Sequence, residues 1–243
     1  LGLGNMSFNA FYNYVEKEKS NIPVHTFETS FRHNINKAQR ITLGGKLVLR
    51  PQSNERSLLK SSLANKQEFL GNDDSAYNHT QQVANLYGSY AISSRKLKLD
   101  LGLRYEYQKD KLLHSDSNHN FRKHFSNLLP SLSFAYQCSN NMSMELSYDM
   151  NVSRPNISVL DPYVDYTTPL QLTYGNTDLK PENTHTIDFT INQRIKRYTL
   201  ITSLTYATTD RLILNYQYTD KSILHNTTGN IGKKNDLMLY NSL

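Results

Sequence analysis

The most restrictive feature of this sequence is a strict two-residue alternation of apolar and polar side chains from Leu97 to Tyr107. Odd positions carry apolar side chains and even positions carry small or charged ones, in the order Leu97, Lys98, Leu99, Asp100, Leu101, Gly102, Leu103, Arg104, Tyr105, Glu106 and Tyr107. A β-strand points alternate side chains to opposite faces, whereas a helix would scatter these leucines around its axis. The segment is therefore predicted to be a strand with one apolar and one polar face.

The same alternation recurs along the chain and predicts an all-β protein of about ten long strands. The other segments that show it are Met6–Tyr14, Phe27–Ile35, Ile41–Leu49, Ala84–Ile92, Leu128–Tyr136, Met142–Val152, Ile187–Ile195 and Tyr198–Tyr218. Strands of globular proteins usually have about five or six residues, and a strand that crosses a bilayer at a tilt needs about 9–11. The lengths here favour membrane-crossing strands.

The links between these strands alternate in length. Residues 36–39, 93–95, 138–141 and 196–197 are predicted to be short turns, and residues 16–23, 51–81, 109–125 and 154–182 are predicted to be long loops. Bacterial outer-membrane barrels have short periplasmic turns and longer extracellular loops. The chain is thus predicted to be an antiparallel transmembrane β-barrel segment, with its apolar face toward lipid and its polar face toward the lumen.

The segment from Tyr198 to Tyr218 allows two interpretations. Its apolar positions are all even, so it is either one long strand or two strands joined by a tight turn at Thr209-Asp210. We favour one strand, because the next link, residues 219–225, then falls on the long-loop side and the alternation of link lengths is kept.

Two other architectures fit the alternation. A soluble all-β binding or adhesion domain would turn its apolar faces inward against a second sheet. A complete ten-stranded barrel would satisfy the even strand number of bacterial outer-membrane barrels. No transmembrane helix is predicted, because the longest unbroken apolar run, Leu237–Tyr240, is far shorter than the span of about 20 residues that a helix needs.

Two segments resemble a known family. They are Ser153-Arg154-Pro155 through Leu160-Asp161-Pro162-Tyr163 to Gly175-Asn176-Thr177-Asp178-Leu179-Lys180-Pro181-Glu182, and the later Asn230-Ile231-Gly232-Lys233. The chain resembles the TonB-dependent outer-membrane receptors, and most closely their relatives in Bacteroidetes with an outer membrane protein β-barrel domain. The family often has proline where this chain has Thr177, and the Gly-x-Glu-Leu that usually follows the second segment is replaced by Leu237-Met238-Leu239-Tyr240.

The resemblance implies nutrient import across the cell outer membrane, with a metal chelate, cofactor, glycan or peptide as the ligand. Barrels of this type have 22 strands and a plugged lumen, so residues 1–243 are expected to be part of one barrel domain, an internal segment of a longer receptor whose plug domain is absent. The implied partners are outer-membrane lipid and lipopolysaccharide, TonB through the missing N-terminal region, and a surface lipoprotein. Nucleic acid is not expected, because the net charge of +6 is spread over the chain.

Candidate ligand-binding residues come from the polar face and from the loop at 154–182, which is too rich in tyrosine and leucine for a disordered loop and is expected to pack on itself or on the barrel rim. They are Arg104, Glu106, Asp149, Arg154, Tyr163, Asp165, Tyr166 and Asn176. No phosphate loop, dinucleotide fingerprint or nucleophile elbow occurs, so no enzyme activity, catalytic residue or cofactor is predicted.

A histidine group in the 109–125 loop is the one metal candidate. His114, His119 and His124 share that loop with Asp116, and imidazole with carboxylate suits several metals. We interpret the group as a solvated loop, and no metal site is predicted.

Overall fold

The computed structural model of the chain describes residues 12–62, 69–114, 120–164 and 170–243, and nearly all of them belong to one β-sheet. Its strands are β1 Tyr12–Asn21, β2 His25–Asn34, β3 Gln39–Ser62, β4 Phe69–Ser93, β5 Leu97–His114, β6 Phe121–Ser139, β7 Met142–Ser153, β8 Gln171–Thr173, β9 Glu182–Ile195, β10 Tyr198–Asp220 and β11 Ile223–Ser242. One helical turn, α1, spans Ile157–Leu160. The predicted all-β class is confirmed.

The sheet is an antiparallel meander. From β3 to β7 and from β9 to β11 each strand pairs with the next one along the chain, and β7 pairs with β9 across the long connection between them. The short β8 lies within that connection and adds in parallel to β11, with Gln171 opposite Leu224. Hairpins of this kind need only short links, which is why the turns at one end of the sheet are tight.

The first two strands share one partner. β1 pairs with the second half of β3, up to Asn21 opposite Ser53. β2 pairs with the first half of β3, starting at His25 opposite Leu49. Between the two ladders lies Ile22-Pro23-Val24, close to Pro51 of β3. Proline has no N–H to donate to a ladder, so pairing is interrupted there. Counting β1 and β2 as one interrupted edge and leaving out β8, the described residues make nine long passes, close to the predicted ten.

The apolar face of the sheet points outward, as predicted. Leu101, Leu103, Tyr105 and Tyr107 are between 41 and 49% exposed. The corresponding faces of the other strands are also exposed, at Phe27, Phe31, Leu43, Leu47, Leu86, Leu128, Tyr136, Leu146, Ile187, Leu204 and Tyr206. Among the described residues no second layer covers them, so the sandwich alternative is wrong. A hydrocarbon environment accounts for this face.

The turns at one end of the sheet confirm the predicted short links. They are 35–38, 94–96, 140–141 and 196–197. At the other end, three of the predicted loops are largely wrong because strands occupy them. β1 runs through 16–21, and β3 and β4 occupy most of 51–81. β5 and β6 extend into 109–125 and shorten that link. Both faces of a strand meet water beyond the membrane, so the apolar alternation fades there while the backbone ladder continues.

β10, Tyr198–Asp220, is one long strand, which is the interpretation that we favoured over two strands for this segment. Its ladder with β11 is irregular beside Arg211, which has a left-handed φ of 59°. A β-bulge therefore stands where a tight turn at Thr209-Asp210 was the alternative. The predicted long link at 219–225 is wrong, because Lys221 and Ser222 alone make a tight turn, both with positive φ.

Among the described residues no ladder joins β1 or β2 to β11, so the sheet is open with an edge on each side. Within that same part of the chain, no helix has the length and apolar content to span a bilayer.

If the apolar face lies in hydrocarbon, Leu101→Arg in the full-length protein should destabilise the folded barrel by about 2–4 kcal/mol, the cost of a cation near the bilayer midplane. The measurement is urea unfolding in phospholipid vesicles. Asp100→Arg places the same cation on the polar, water-exposed face and should cost less than about 1 kcal/mol, as an ordinary surface substitution does. Equal losses for the two variants would contradict the outward orientation.

Candidate functional site

A cavity of about 850 Å³ lies on the polar face of the sheet. It is lined by residues of all six strands from β2 to β7. Neighbouring strands lie about 4.8 Å apart, so a single cavity that touches six of them requires a sheet that curves around it. The polar face is therefore the concave, inner face, and we call this space the wall cavity.

Four of the predicted ligand-binding residues line the wall cavity: Arg104, Glu106, Asp149 and Arg154. Glu106 and Arg154 form an ion pair in which the glutamate side chain is 5% exposed and the arginine side chain 25%. Arg104, two residues before Glu106 on β5, is exposed to the cavity. Asp149 on β7 accepts a hydrogen bond from Asn151 Nδ2.

The pair between Glu106 and Arg154 fixes the start of the connection between β7 and β9, residues 154–181, which we call the strap. Asn156 caps α1 by accepting from Val159 N at 3.2 Å, and the helical turn closes with Asp161 N donating to Ile157 O. Leu160 is 2% exposed. The strap therefore packs against the rest of the protein, as the sequence predicts.

The motif that begins at Gly175 is explained by close packing within the strap. A Cβ atom added to Gly175 would lie 2.5 Å from Asp161 O and 2.7 Å from Val159 O, which leaves room for glycine alone. The next side chain, Asn176, donates to Thr228 O at 2.9 Å and accepts from Asp178 N at 2.8 Å. The first contact holds the strap against β11, and the second closes a turn within the strap.

The end of the strap is held by the second motif. Asn230 accepts from Lys180 N at 2.8 Å, and its Nδ2 donates to Lys180 O at 2.9 Å and to Arg211 O at 2.6 Å. Leu179 is fully buried. Glu182 then accepts from Ile213 N at 2.6 Å, beside the bulge in β10. The two segments that carry the family resemblance therefore bind each other.

A buried polar cluster in the wall was missed by the sequence analysis. Asp110, which is 1% exposed, accepts from Gln81 Nε2 and pairs with His79 Nε2, both at 3.1 Å, and accepts from Gln108 Nε2. Arg50 donates to Gln81 at 2.8 Å. The even positions of β5 continue the polar face past Glu106, at Gln108 and Asp110. The sequence analysis missed this continuation because it assigned residues 109–125 to a loop.

An aromatic group joins the strap to the tip of β10 and β11. The hydroxyls of Tyr174 and Tyr218 lie 2.7 Å apart, and the ring of Tyr218 stacks on His225 with centroids 4.7 Å apart. The hydrogen bond to Tyr218 raises the pKa of Tyr174 to about 12, because it favours the neutral phenol, and burial acts in the same direction. Nothing in the sequence marked this group.

The other predicted site residues belong to the strap or lie beyond the described residues. Tyr163 is half-buried and its N–H donates to Asp161 Oδ1 at 3.0 Å. Asn176 uses its side chain to anchor the strap. Asp165 and Tyr166 lie outside the described residues, as do residues 115–119 of the histidine group. Ligand contact by all eight stays a prediction. Within the described ranges, no three His, Cys, Asp or Glu side chains converge as a metal site would require.

Comparison with known proteins places this geometry in one architecture. A sequence model described as the outer membrane protein beta-barrel family matches residues 3–243. No curated protein matches the chain by sequence.

Solved structures share the fold at low identity. A hemophore receptor, HasR of Serratia marcescens, matches at 13% identity with a TM-score of 0.63 over 95% of this chain. The ferric yersiniabactin uptake receptor FyuA of Yersinia pestis matches at 13% identity and 0.59 over 94%. The copper transporter OprC matches at 12% and 0.57 over 89%. This chain spans 41%, 33% and 37% of those three chains, so it corresponds to less than half of each.

Glu106→Gln should loosen the strap, because it removes the charge that pairs with the half-buried Arg154. A loss of about 1–3 kcal/mol is expected for a charged hydrogen bond. Hydrogen exchange of residues 154–164 in the full-length protein should quicken accordingly. Arg104→Gln, a charge removal on the same face of β5, is the matched control, and faster strap exchange in it would contradict the role of the pair.

Gly175→Ala should destabilise the strap by about 1–3 kcal/mol, the usual cost of overpacking, because the new methyl group collides with backbone atoms. Gly45→Ala is the control, since its added Cβ would meet its nearest neighbour at an ordinary 3.5 Å. Limited proteolysis of the full-length protein within the strap reports the difference. Equal cleavage rates in the two variants would show that the close packing at Gly175 is not required.

Proposed function

The chain belongs to the outer membrane protein β-barrel family, and from that premise we propose that it forms part of the barrel of a TonB-dependent receptor that imports a nutrient. Its location is the outer membrane. The 22-stranded barrels of outer-membrane transporters enclose a plugged lumen, and the proposal makes residues 1–243 one part of such a wall.

The observation that carries this proposal is the opposition of the two faces. The outward face is apolar and exposed, and the inner face curves around a wall cavity of about 850 Å³ that contains Arg104, Glu106 and Asp149. The strap is anchored to that face by Arg154 at its start and to β11 through Asn230 at its end. A polar, curved wall surrounded by lipid is suited to passing a hydrated solute, whereas a structural barrel of small diameter fills its interior with packed side chains.

The charge pattern of the wall cavity favours a polar ligand with both signs of charge. Arg50, Arg104 and Arg154 line it together with Glu106 and Asp149, and Lys46 pairs with Glu28 at 3.2 Å on its border. A metal chelate, cofactor, glycan or peptide is the proposed ligand. Metal chelates are the first class to test, because the receptors of similar fold are named for heme, ferric yersiniabactin and copper.

The proposed partners follow from the import function. TonB would act through an N-terminal plug region, lipopolysaccharide would surround the outward face, and a surface lipoprotein would cover the extracellular side. Membership among the Bacteroidetes relatives of the family stays a prediction, as does the ligand-binding role of Tyr163, Asp165, Tyr166 and Asn176.

Uptake assays in the natural host test the proposal. Deleting the gene should abolish growth on one of four supplied sources, namely ferric chelates, cobalamin, peptides or glycans, and full-length protein should restore it. Dissipating the proton-motive force should stop the restored uptake. Undiminished uptake of all four classes by the deletion strain, or uptake that persists without the proton-motive force, would overturn the proposal.

A charge reversal tests the inner wall itself. Arg104→Glu in the full-length protein should raise the KM of uptake about tenfold, the effect of losing one charged contact, at unchanged surface abundance. Arg122→Glu makes the same reversal at an exposed position that does not line the wall cavity. An unchanged KM in Arg104→Glu would remove that residue from the ligand path.

A further inference from the structure

We propose that a niche at the outer rim of the sheet, formed around Lys123, Lys180 and Arg211, binds a phosphate group. This rim niche has a volume of about 460 Å³ and is lined by residues 123–127 of β6, by Asp178, Lys180 and Pro181 of the strap, and by Arg211 of β10. It is separate from the wall cavity, and phosphate binding there does not depend on nutrient import.

The niche exists because the first part of β6 extends beyond its ladder with β7. β6 begins at Phe121, and its ladder with β7 starts only at Ser131, next to Pro130, which cannot donate a ladder hydrogen bond. Above that point, within the described residues, β6 pairs with β5 alone. The end of the strap and the bulge of β10 border the gap that this leaves in the wall.

Two of the three cations are held in place through their backbones. Asn230 binds Lys180 N, Lys180 O and Arg211 O at 2.6–2.9 Å, so one side chain ties the strap to the β10 bulge. Arg211 has a left-handed φ of 59°, a conformation that a non-glycine residue adopts at a cost. Bulges often re-aim a side chain beside a functional site. Here the strained residue is an arginine at the rim of a positively charged niche.

The third cation is partly withdrawn from water. Lys123 Nζ donates to Leu179 O at 3.3 Å. Burial lowers the pKa of Lys123, Asp178 opposes that change, and Lys180 lowers the pKa further. Asp110, the register partner of Lys123, is already occupied by His79 and two glutamines.

The charges that line the niche do not balance. Asp178 is the one carboxylate among the lining residues, against three cations. Two carboxylates next to the lining residues are engaged elsewhere, since Asp210 pairs with Lys233 at 3.0 Å and Glu182 accepts from Ile213 N at 2.6 Å. Asn127 also lines the niche, and its buried Nδ2 has no acceptor among the described residues. Two ammonium groups, a guanidinium fork and a spare amide donor match the oxygens of a phosphate.

The height of the niche places it where phosphate occurs. His124 lies beside Lys123 and faces Tyr107, with ring centroids 6.3 Å apart. Tyr107 is the last aromatic residue of the apolar face of β5, and tyrosines of barrels collect at the membrane interface. The phosphate could thus belong to a lipid of the outer leaflet or to a small phosphorylated solute from the medium.

The test uses the full-length protein in detergent and in nanodiscs. Inorganic phosphate is titrated by calorimetry, and vesicles of bis-phosphorylated lipid A are compared with vesicles of the dephosphorylated lipid. Lys123→Gln and Lys180→Gln should each weaken binding about tenfold or more, the effect of losing a charged hydrogen bond. Lys180→Arg should retain it. Lys109→Gln is the control, because Lys109 lies opposite His124 on β5, is exposed and does not line the niche.

The outcomes named here either support or overturn the phosphate site. Binding of inorganic phosphate and of lipid A, both lost in Lys180→Gln, supports the site for either source; binding of lipid A alone supports it and assigns the source to the membrane. Absence of binding to both probes, or an equal loss in Lys109→Gln, overturns it. Heat-modifiable gel mobility reports folding of each variant, and Lys180→Gln stands in if Lys123→Gln does not fold, because Lys180 is exposed and is held through its backbone.

Discussion

The pairing of backbone hydrogen bonds in hydrocarbon is the constraint on which this structure depends. A buried N–H or C=O without a partner costs several kcal/mol in a bilayer, so a chain that crosses by strands must pair each strand on both sides. The meander from β3 to β10 does this with tight turns at one end, and β11 lies at an open edge of the described sheet, where only the short β8 pairs with it. Once the backbone hydrogen bonds are paired, alternate side chains can face two different solvents, as the neighbouring Leu103 and Arg104 of β5 do.

The strap is the place where the protein departs from this regular pattern, and apart from the three-residue ladder of β8 it is held by side chains. Glu106 pairs with Arg154 at its start, Asn176 binds β11 in its last third and Asn230 binds Lys180 at its end. Gly175 permits the close approach that brings these groups into register. The residues that carry the family resemblance are therefore explained by packing and hydrogen bonds, and their presence is no argument for contact with a ligand.

The sequence predicted the parts of the strands that cross the bilayer and missed the parts that extend into water. Leu97–Tyr107 and the long strand after Tyr198 were predictable, because lipid requires an unbroken apolar face. The upper halves of β3 and β4 were not, because beyond the membrane both faces are polar and a strand there looks like a loop. The cluster at Asp110 shares this cause. The contact between Asn230 and Lys180 depends on where a long connection lands, which local patterns do not encode.

The outer halves of β3 and β4 have a consequence for encounters outside the cell. Residues 50–62 of β3 continue past the apolar belt for roughly 43 Å along the strand, at about 3.3 Å per residue. β1 pairs with residues 53–62 of this part, and β4 pairs with most of it. A disordered loop of that length would lose conformational freedom whenever another molecule docked on it. A paired ribbon has already lost that freedom during folding. An approaching macromolecule would thus meet a rigid β-ribbon. The interruption at Pro23, between β1 and β2, lies near the membrane end of this ribbon.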